Sequence, residues 1–311
     1  MRVFETKSDL RAALAGGRRE GRSIGLVPTM GSLHGGHVAL LDRARADCDI
    51  VVMSLFVNPT QFGPGEDLDG YPRDRAGDER IAAAAGVDLL YAPAVAEVYP
   101  PGFATAVEVG GLTEVLCGDP ARRGPGHFRG VSTVVAKLLN TVAPDVAYFG
   151  QKDAQQAVVI RRMVADLDFP VRIEVVATVR APDGLALSSR NAHLDVADRE
   201  RAPTLLKALH AAADAAAPGT AAERALEQAR RVLTAAGIEP EYVEARDAER
   251  LEPIETFDGR PVLLALAARV GGTRLIDNLI IEPAKAAAAA GEEETAMHSD
   301  KPTAERPRVG S

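Results

Sequence analysis

The chain has 311 residues, 46% of them hydrophobic, which is enough apolar material for a large core and a length near which single cores divide in two. Its formal net charge of −8 excludes a broad phosphate-neutralising surface, so no nucleic-acid partner is expected, although a small anion needs only local positive charge. Cys48 and Cys117 are its 2 cysteines, which excludes a disulfide framework or a four-cysteine zinc site and points to the cytoplasm.

From the amino terminus, residues 1–10 carry no apolar run behind a basic start, so no export signal is read there, and no later run approaches the roughly 18 residues of a membrane span. Residues 23–27 predict a short strand, 37–45 a helix and 49–57 (DIVVMSLFV) a buried strand. The alternation continues with a helix over 74–85, a strand over 87–91, a helix over 131–142, a strand over 146–149, a helix over 154–167 and a strand over 171–178. The helix from Val131 is the best marked, with Val131, Val134, Val135, Leu138, Leu139 and Val142 on one face.

Near-continuous apolar strands separated by helices predict an α/β fold over 1–178, a doubly wound parallel sheet of Rossmann-like type with ligands at the carboxyl ends of its strands. Ala-rich helices over 195–216 and 221–236, followed by strands at 242–245, 262–268 and 274–281, predict a smaller α+β domain over 179–283. Residues 284–311 have no apolar periodicity and are expected to form a disordered tail.

The chemistry-bearing segments stand where the strands end. Residues 28–37, PTMGSLHGGH, lead from the first strand into the first helix, where unpaired N–H groups and the positive end of the helix dipole suit phosphate. His34 and His37 fall on one helical face and can grip a phosphate chain; a glycine turn or a zinc pair are the other readings of an isolated HxxH, the zinc lacking a nearby third ligand. Residues 54–62, SLFVNPTQF, bring the amides of Asn58 and Gln61, suited to hydroxyl and carboxylate recognition. In YFGQKDAQQ, 148–156, Lys152 offers a mobile point charge, Asp153 a helix cap or a ribose contact, and Gln156 a side chain toward substrate. In LSSRN, 187–191, two hydroxyls and the Arg190 guanidinium can wrap phosphates.

Strand, PTMGSLHGGH and helix together resemble the HxGH signature of the nucleotidyltransferase superfamily. With the later motifs in order over 25–282, the chain resembles the pantothenate synthetases, the pantoate–β-alanine ligases of that superfamily. GEDLDGYPRD continues the match through Tyr71, Pro72 and Arg73. The resemblance implies ATP-dependent condensation of pantoate with β-alanine in vitamin B5 and coenzyme A biosynthesis, through pantoyl adenylate with release of pyrophosphate and AMP, in a homodimer.

The same resemblance implies that His34, His37, Lys152, Ser188, Ser189 and Arg190 are catalytic, neutralising charge on ATP beside Mg2+. It implies that Met30, Gly31, Gly150, Asp153, Val179 and Leu187 help to hold ATP, Val179 through a backbone contact with adenine. Pro28, Met30, Asn58, Gln61 and Gln156 would meet the organic substrate, and Asp78 would lie near the metal. Segment 122–131, RRGPGHFRGV, resembles a flexible loop of the family, in which Arg123 and His127 would take site roles.

The chain departs from the family pattern at Gln151, where glutamate is usual, at Ala154 and His193, where aromatics are usual, and at Gly124, where an arginine stands. These departures motivate the alternative of a catalytically altered nucleotide-binding homologue, or of an adenylating enzyme for a different small acid. Gln61 and Gln156 speak against a phosphate acceptor, which calls for Arg or Lys.

Overall fold

Among the residues described by the structure, a computed structural model covering 1–63, 68 and 70–282, the strands fall into two sheets. The first is a 6-stranded parallel sheet of β1 (Arg2–Phe4), β2 (Ile24–Thr29), β3 (Ile50–Leu55), β4 (Leu89–Tyr91), β5 (Val146–Gly150) and β6 (Arg172–Val176), ordered β1-β4-β3-β2-β5-β6. The second is antiparallel, with β7 (Pro240–Asp247), β8 (Val262–Val270) and β9 (Thr273–Ile281) in chain order. This is the predicted α/β architecture with its smaller α+β part; the expected tail, 284–311, lies outside the described residues.

Helices cover both faces of the parallel sheet, which is why β3 is buried along nearly its whole length rather than at alternate positions. On one face pack α1 (Lys7–Arg19), α5 (Pro125–Val142) and α6 (Ala154–Asp166); on the other α2 (Gly35–Asp47) and α3 (Arg75–Ala84). A single-turn helix, α4 (Val95–Val98), follows β4. The antiparallel sheet carries α8 (Thr204–Asp214) and α9 (Ala222–Ala235) on one side, after the short α7 (Val196–Arg201).

The strand β8 belongs to two cores at once. Val262, Leu264, Leu266 and Ala268 face the cluster under α8 and α9, whereas Leu263, Ala265 and Ala267 join the cluster that contains α5 and α6. Alternation along a strand sends successive side chains to opposite faces, so one strand serves both.

Local chemistry explains where the elements differ from expectation. The pair β1 and α1 was not predicted, because only Leu10 and Leu14 of α1 are fully buried leucines, too sparse a stripe to mark a helix; Thr6 starts it by accepting the Asp9 N–H at 3.2 Å. Helix α5 begins at Pro125 and not at 131. Gly124 at φ 79° makes the turn and Pro125, whose missing N–H is not needed in a first turn, opens the helix. From 125 onward, then, the segment resembling a flexible loop is helical. The single helix expected over 195–216 is two, divided at Pro203, which cannot continue a helical ladder.

The sheet opens between β2 and β5. Their ladder lasts only for Gly25↔Val146 and Leu26↔Ala147, while β2 pairs with β3 from Ile24 to Thr29. Pro28, with no N–H to donate, stands where the two strands separate. The order of strands reverses at this same place, β3 and β4 lying to one side of β2 and β5 and β6 to the other, so the crevice at the carboxyl ends of β2 and β5 is where an open α/β sheet receives its ligand. No helix among the described residues is long and apolar enough to cross a membrane.

Candidate active site

A cavity of about 240 Å³ occupies that crevice. The end of β2 contributes Pro28 and Met30, the start of α2 His34 and His37, and the turn after β3 Asn58 and Gln61. From β5 and the start of α6 come Gly150, Lys152, Asp153 and Gln156; Val179, Leu187, Ser188, Ser189 and Arg190 close the far wall, with Arg123 and His127 at one end. The structure thus gathers every site residue named from the sequence except Gly31 and Asp78.

The two histidines build the start of α2. His34 is the residue before the first turn, and its Nδ1 accepts the Gly36 N–H at 3.1 Å; His37 Nδ1 accepts the His34 N–H at 3.2 Å. Side chain and backbone therefore satisfy each other reciprocally at a helix start. Because each Nδ1 accepts, each neutral ring carries its proton on Nε2, which is a donor. The rings lie 4.2 Å apart. Burial, then the nearby Lys152, holds the His34 pKa below its usual value, and burial followed by repulsion from His34 lowers that of His37 to about 3. The resemblance implied that the histidines neutralise charge; here they are neutral N–H donors, and the positive charge comes from Lys152 and Arg190.

Asp78, expected near the metal, is occupied with the turn that carries the histidines. It is 3% exposed, its Oδ2 accepts the Ser32 N–H at 3.0 Å and its Oδ1 the Leu33 N–H at 2.7 Å. Both oxygens are thus committed to the backbone of the turn between β2 and α2. Gly31, at φ 91°, makes room for it, since a Cβ there would lie 2.7 Å from Asp78 Oδ2. Both residues shape the histidine turn from below, outside the cavity wall. Among the described residues no group of three or more His, Cys, Asp or Glu side chains is arranged to hold a metal ion.

Asn58 also has a different employment from direct substrate contact. It is 1% exposed; its Nδ2 donates to Gln61 Oε1 and to Gly130 O, both at 3.1 Å, and its Oδ1 accepts from Thr60 Oγ1 at 2.9 Å and Tyr99 OH at 2.8 Å. Every polar atom of its side chain is bonded within the protein. Its effect is to orient Gln61, whose Nε2 is left toward the cavity against Met30 Sδ at 3.1 Å. The turn rests so closely on α5 that a Cβ at Gly130 would stand 2.3 Å from Thr60 O. His127 completes the support: Arg123 Nη1 lies 3.2 Å from His127 Nε2, and His127 Nδ1 lies 2.8 Å from Gln61 O. A guanidinium only donates, so Nε2 accepts and Nδ1 carries the proton given to the carbonyl.

At the other end, Lys152 Nζ is 3.8 Å from Asp153 Oδ1. Asp153 makes no side-chain cap bond to α6, so the helix cap that was one of its two expected roles is not formed. The Leu187 N–H donates to Val179 O at 2.9 Å, drawing the Ser188–Arg190 stretch alongside 179, and Ser188 Oγ accepts the Arg190 N–H at 3.3 Å.

Sequence reasoning assigned no role to Tyr71 or Thr178, which also line the cavity. The Tyr71 hydroxyl, its pKa raised by burial and partly restored by a hydrogen bond with Ser189, ties the segment after β3 to the far wall. Thr178 Oγ1 is buried without a partner. The YPRD match was the only signal for the first, and nothing in sequence marked the second. Ala154 lines a smaller cavity of about 70 Å³ between α6 and the antiparallel sheet.

The sequence model described as pantoate-beta-alanine ligase matches residues 2–280. The pantothenate synthetase of Moorella thermoacetica is 54% identical over 284 residues, 91% of this chain and 99% of that protein. That of Rhizorhabdus wittichii is 54% identical over 285 residues, 91% of this chain and 100% of its own. Among solved structures, pantothenate synthetase from Thermus thermophilus matches with a TM-score of 0.84 and 48% identity, over 91% of this chain and 100% of that one. Pantoate-beta-alanine ligase from Francisella tularensis, complexed with beta-gamma ATP and beta-alanine, matches with a TM-score of 0.75 and 33% identity, over 90% and 97%.

Proposed function

Because the chain belongs to the pantoate–β-alanine ligase family, we propose a division of labour among its site residues for the ATP-dependent condensation of pantoate with β-alanine. The chain is an enzyme of this class, and neither a non-catalytic homologue nor an enzyme for another acid is favoured. The observation that carries the residue assignments is the meeting, at the β2–β5 crevice, of a neutral histidine pair and Lys152 with two glutamine amides.

The reaction runs in two steps. A pantoate carboxylate oxygen attacks the α-phosphorus of ATP, the bond to the β-phosphate oxygen breaks, and pyrophosphate leaves with that electron pair. The β-alanine amine then attacks the acyl carbon of pantoyl adenylate, AMP departs, and the nitrogen loses a proton. Charge builds on phosphate oxygens in the first step, where preorganised donors in a partly dry site act most strongly. The Nε2–H groups of His34 and His37, the Lys152 ammonium, the Ser188 and Ser189 hydroxyls and the Arg190 guanidinium supply them. Gln61 and Gln156 hold pantoate so that its carboxylate stands in line, Asp153 meets the ribose and Val179 the adenine. Asn58, Arg123 and His127 act on substrate through Gln61.

The magnesium ion of the reading comes with the incoming triphosphate: Asp78 lies outside the cavity wall and supports the histidine turn, and the described residues hold no cluster of three or more ligands that would bind the ion without phosphate. A division into 1–178 and 179–283, supported by the change in sequence pattern, a homodimer, supported by the family resemblance, and a cytoplasmic setting, supported by the use of just 2 cysteines, complete the reading.

The test is AMP release from ATP, magnesium, pantoate and β-alanine, omitting each in turn. AMP that requires both organic substrates is expected, and Lys152→Ala should lower its formation strongly while the fold persists. ATP binding without AMP release would overturn the reaction, and full turnover by the variant would overturn the role of Lys152.

A further inference from the structure

The turn that carries Lys152, Gln151–Asp153, is held from the other sheet. Asn278 on β9 is 5% exposed; its Nδ2 donates to Gln151 O at 3.0 Å and Lys152 O at 2.9 Å, and its Oδ1 accepts from Gln151 Nε2 at 2.9 Å. Gln151, the residue that departs from the family pattern, is thereby matched to an amide partner. One planar amide bridging two successive carbonyls fixes both peptide planes, and with them the direction in which the Lys152 side chain leaves the backbone.

Asn278 is itself anchored. Its N–H donates to Asp277 Oδ1 at 2.8 Å, and Asp277, 3% exposed, grips Arg180 with two bonds of 2.6 and 2.9 Å. Arg180 also donates to Gly184 O at 3.1 Å, in the hairpin that returns the chain to Ser188–Arg190. A single cluster on β9 thus reaches both stretches that face the phosphates.

We propose that Asn278 is a positioning residue for the adenylation step, setting through the carbonyls of Gln151 and Lys152 where the Lys152 ammonium meets the triphosphate. The proposal rests on the assignment of Lys152 to phosphate given above. The antiparallel sheet is then part of the catalytic apparatus for the first step, although no atom of Asn278 touches substrate.

Asn278→Asp keeps the shape but turns a carboxylate toward two carbonyl oxygens, and Asn278→Ala removes the bridge without that repulsion. Adenylation is read as pantoate-dependent exchange of pyrophosphate into ATP. The second step is read separately, as a single turnover with β-alanine after long preincubation with ATP and pantoate. A displacement of the ammonium by about 1 Å should slow adenylation roughly a hundredfold, with the second step within about threefold of the parent. In a Lys152→Ala background, either change at 278 should add less than about twofold, since there is no ammonium left to place.

Equal loss in both steps, an effect that adds in full to that of Lys152→Ala, unchanged adenylation, or failure of both variants to fold would each overturn the proposal. Unchanged adenylation in Lys152→Ala alone would instead overturn the assignment of Lys152.

Discussion

Replacing His37 by Gln tests whether the imidazole is neutral in the folded protein. The glutamine Oε1 can still accept the His34 N–H, so the variant retains a cap at this helix start. It loses a titration. Above pH 6.5 the imidazole is neutral in both folded and unfolded chains and contributes no pH dependence. As pH falls below 6.5 the unfolded chain takes up a proton, whereas the folded one, with a pKa of about 3, does not. Folding is therefore weakened by about 1.4 kcal/mol for each pH unit down to the folded value. At pH 5 the loss is about 2 kcal/mol, absent from His37→Gln. Urea midpoints of both proteins at pH 7.5 and 5.0 give the comparison, with His34 present in both. The stability of the variant relative to the parent should rise by about 2 kcal/mol on going to pH 5. A relative stability that stays the same at the two pH values would refute a buried neutral His37.

Three further substitutions probe the supports of the site. Gly130→Ala places a Cβ where Thr60 O stands, 2.3 Å away, so it should cost about 1–3 kcal/mol in urea unfolding and raise the KM for pantoate more than that for ATP. Asn58→Ala leaves Gln61 Oε1 and Gly130 O without their Asn58 donor, while Tyr99 OH keeps Thr60 Oγ1 at 3.1 Å, for a cost of about 2–3 kcal/mol and a raised pantoate KM. An unchanged KM would mean that Gln61 needs no such orientation. Asp277→Ala strands Arg180, whose side chain is 19% exposed, and should cost about 3–5 kcal/mol by calorimetry or urea unfolding; a loss below 1 kcal/mol would mean that Arg180 finds water instead.

The parallel sheet was legible because its strands are apolar throughout and its motifs sit where those strands run into helices. Helix α1 was not, since it buries little beyond two leucines, and the first turns of α5 were hidden because Gly124, Pro125 and Gly126 read as a turn until Pro125 is seen to occupy a helix start. In the site, the residues that face the cavity stood in short local motifs. What those residues lean on was not legible, because Asn58 finds Gly130 at a separation of 72 residues and Gln151 finds Asn278 at 127. The partners of Asp78 were hidden for a related reason: a lone carboxylate on a helix gives no hint that the backbone of residues 32 and 33 will lie on it.

The strand β8, shared between two cores, has a bearing on how the molecule comes apart. Were the antiparallel sheet to lift away intact, Leu263, Ala265 and Ala267 would meet water together with Tyr242 and Leu251, which are buried in the same cluster. Exposing large apolar side chains costs roughly 1.5–3 kcal/mol each, so a half-dissociated form lies well above the native one. The two sheets should therefore melt as one cooperative unit, without a step in which the antiparallel sheet alone has come away.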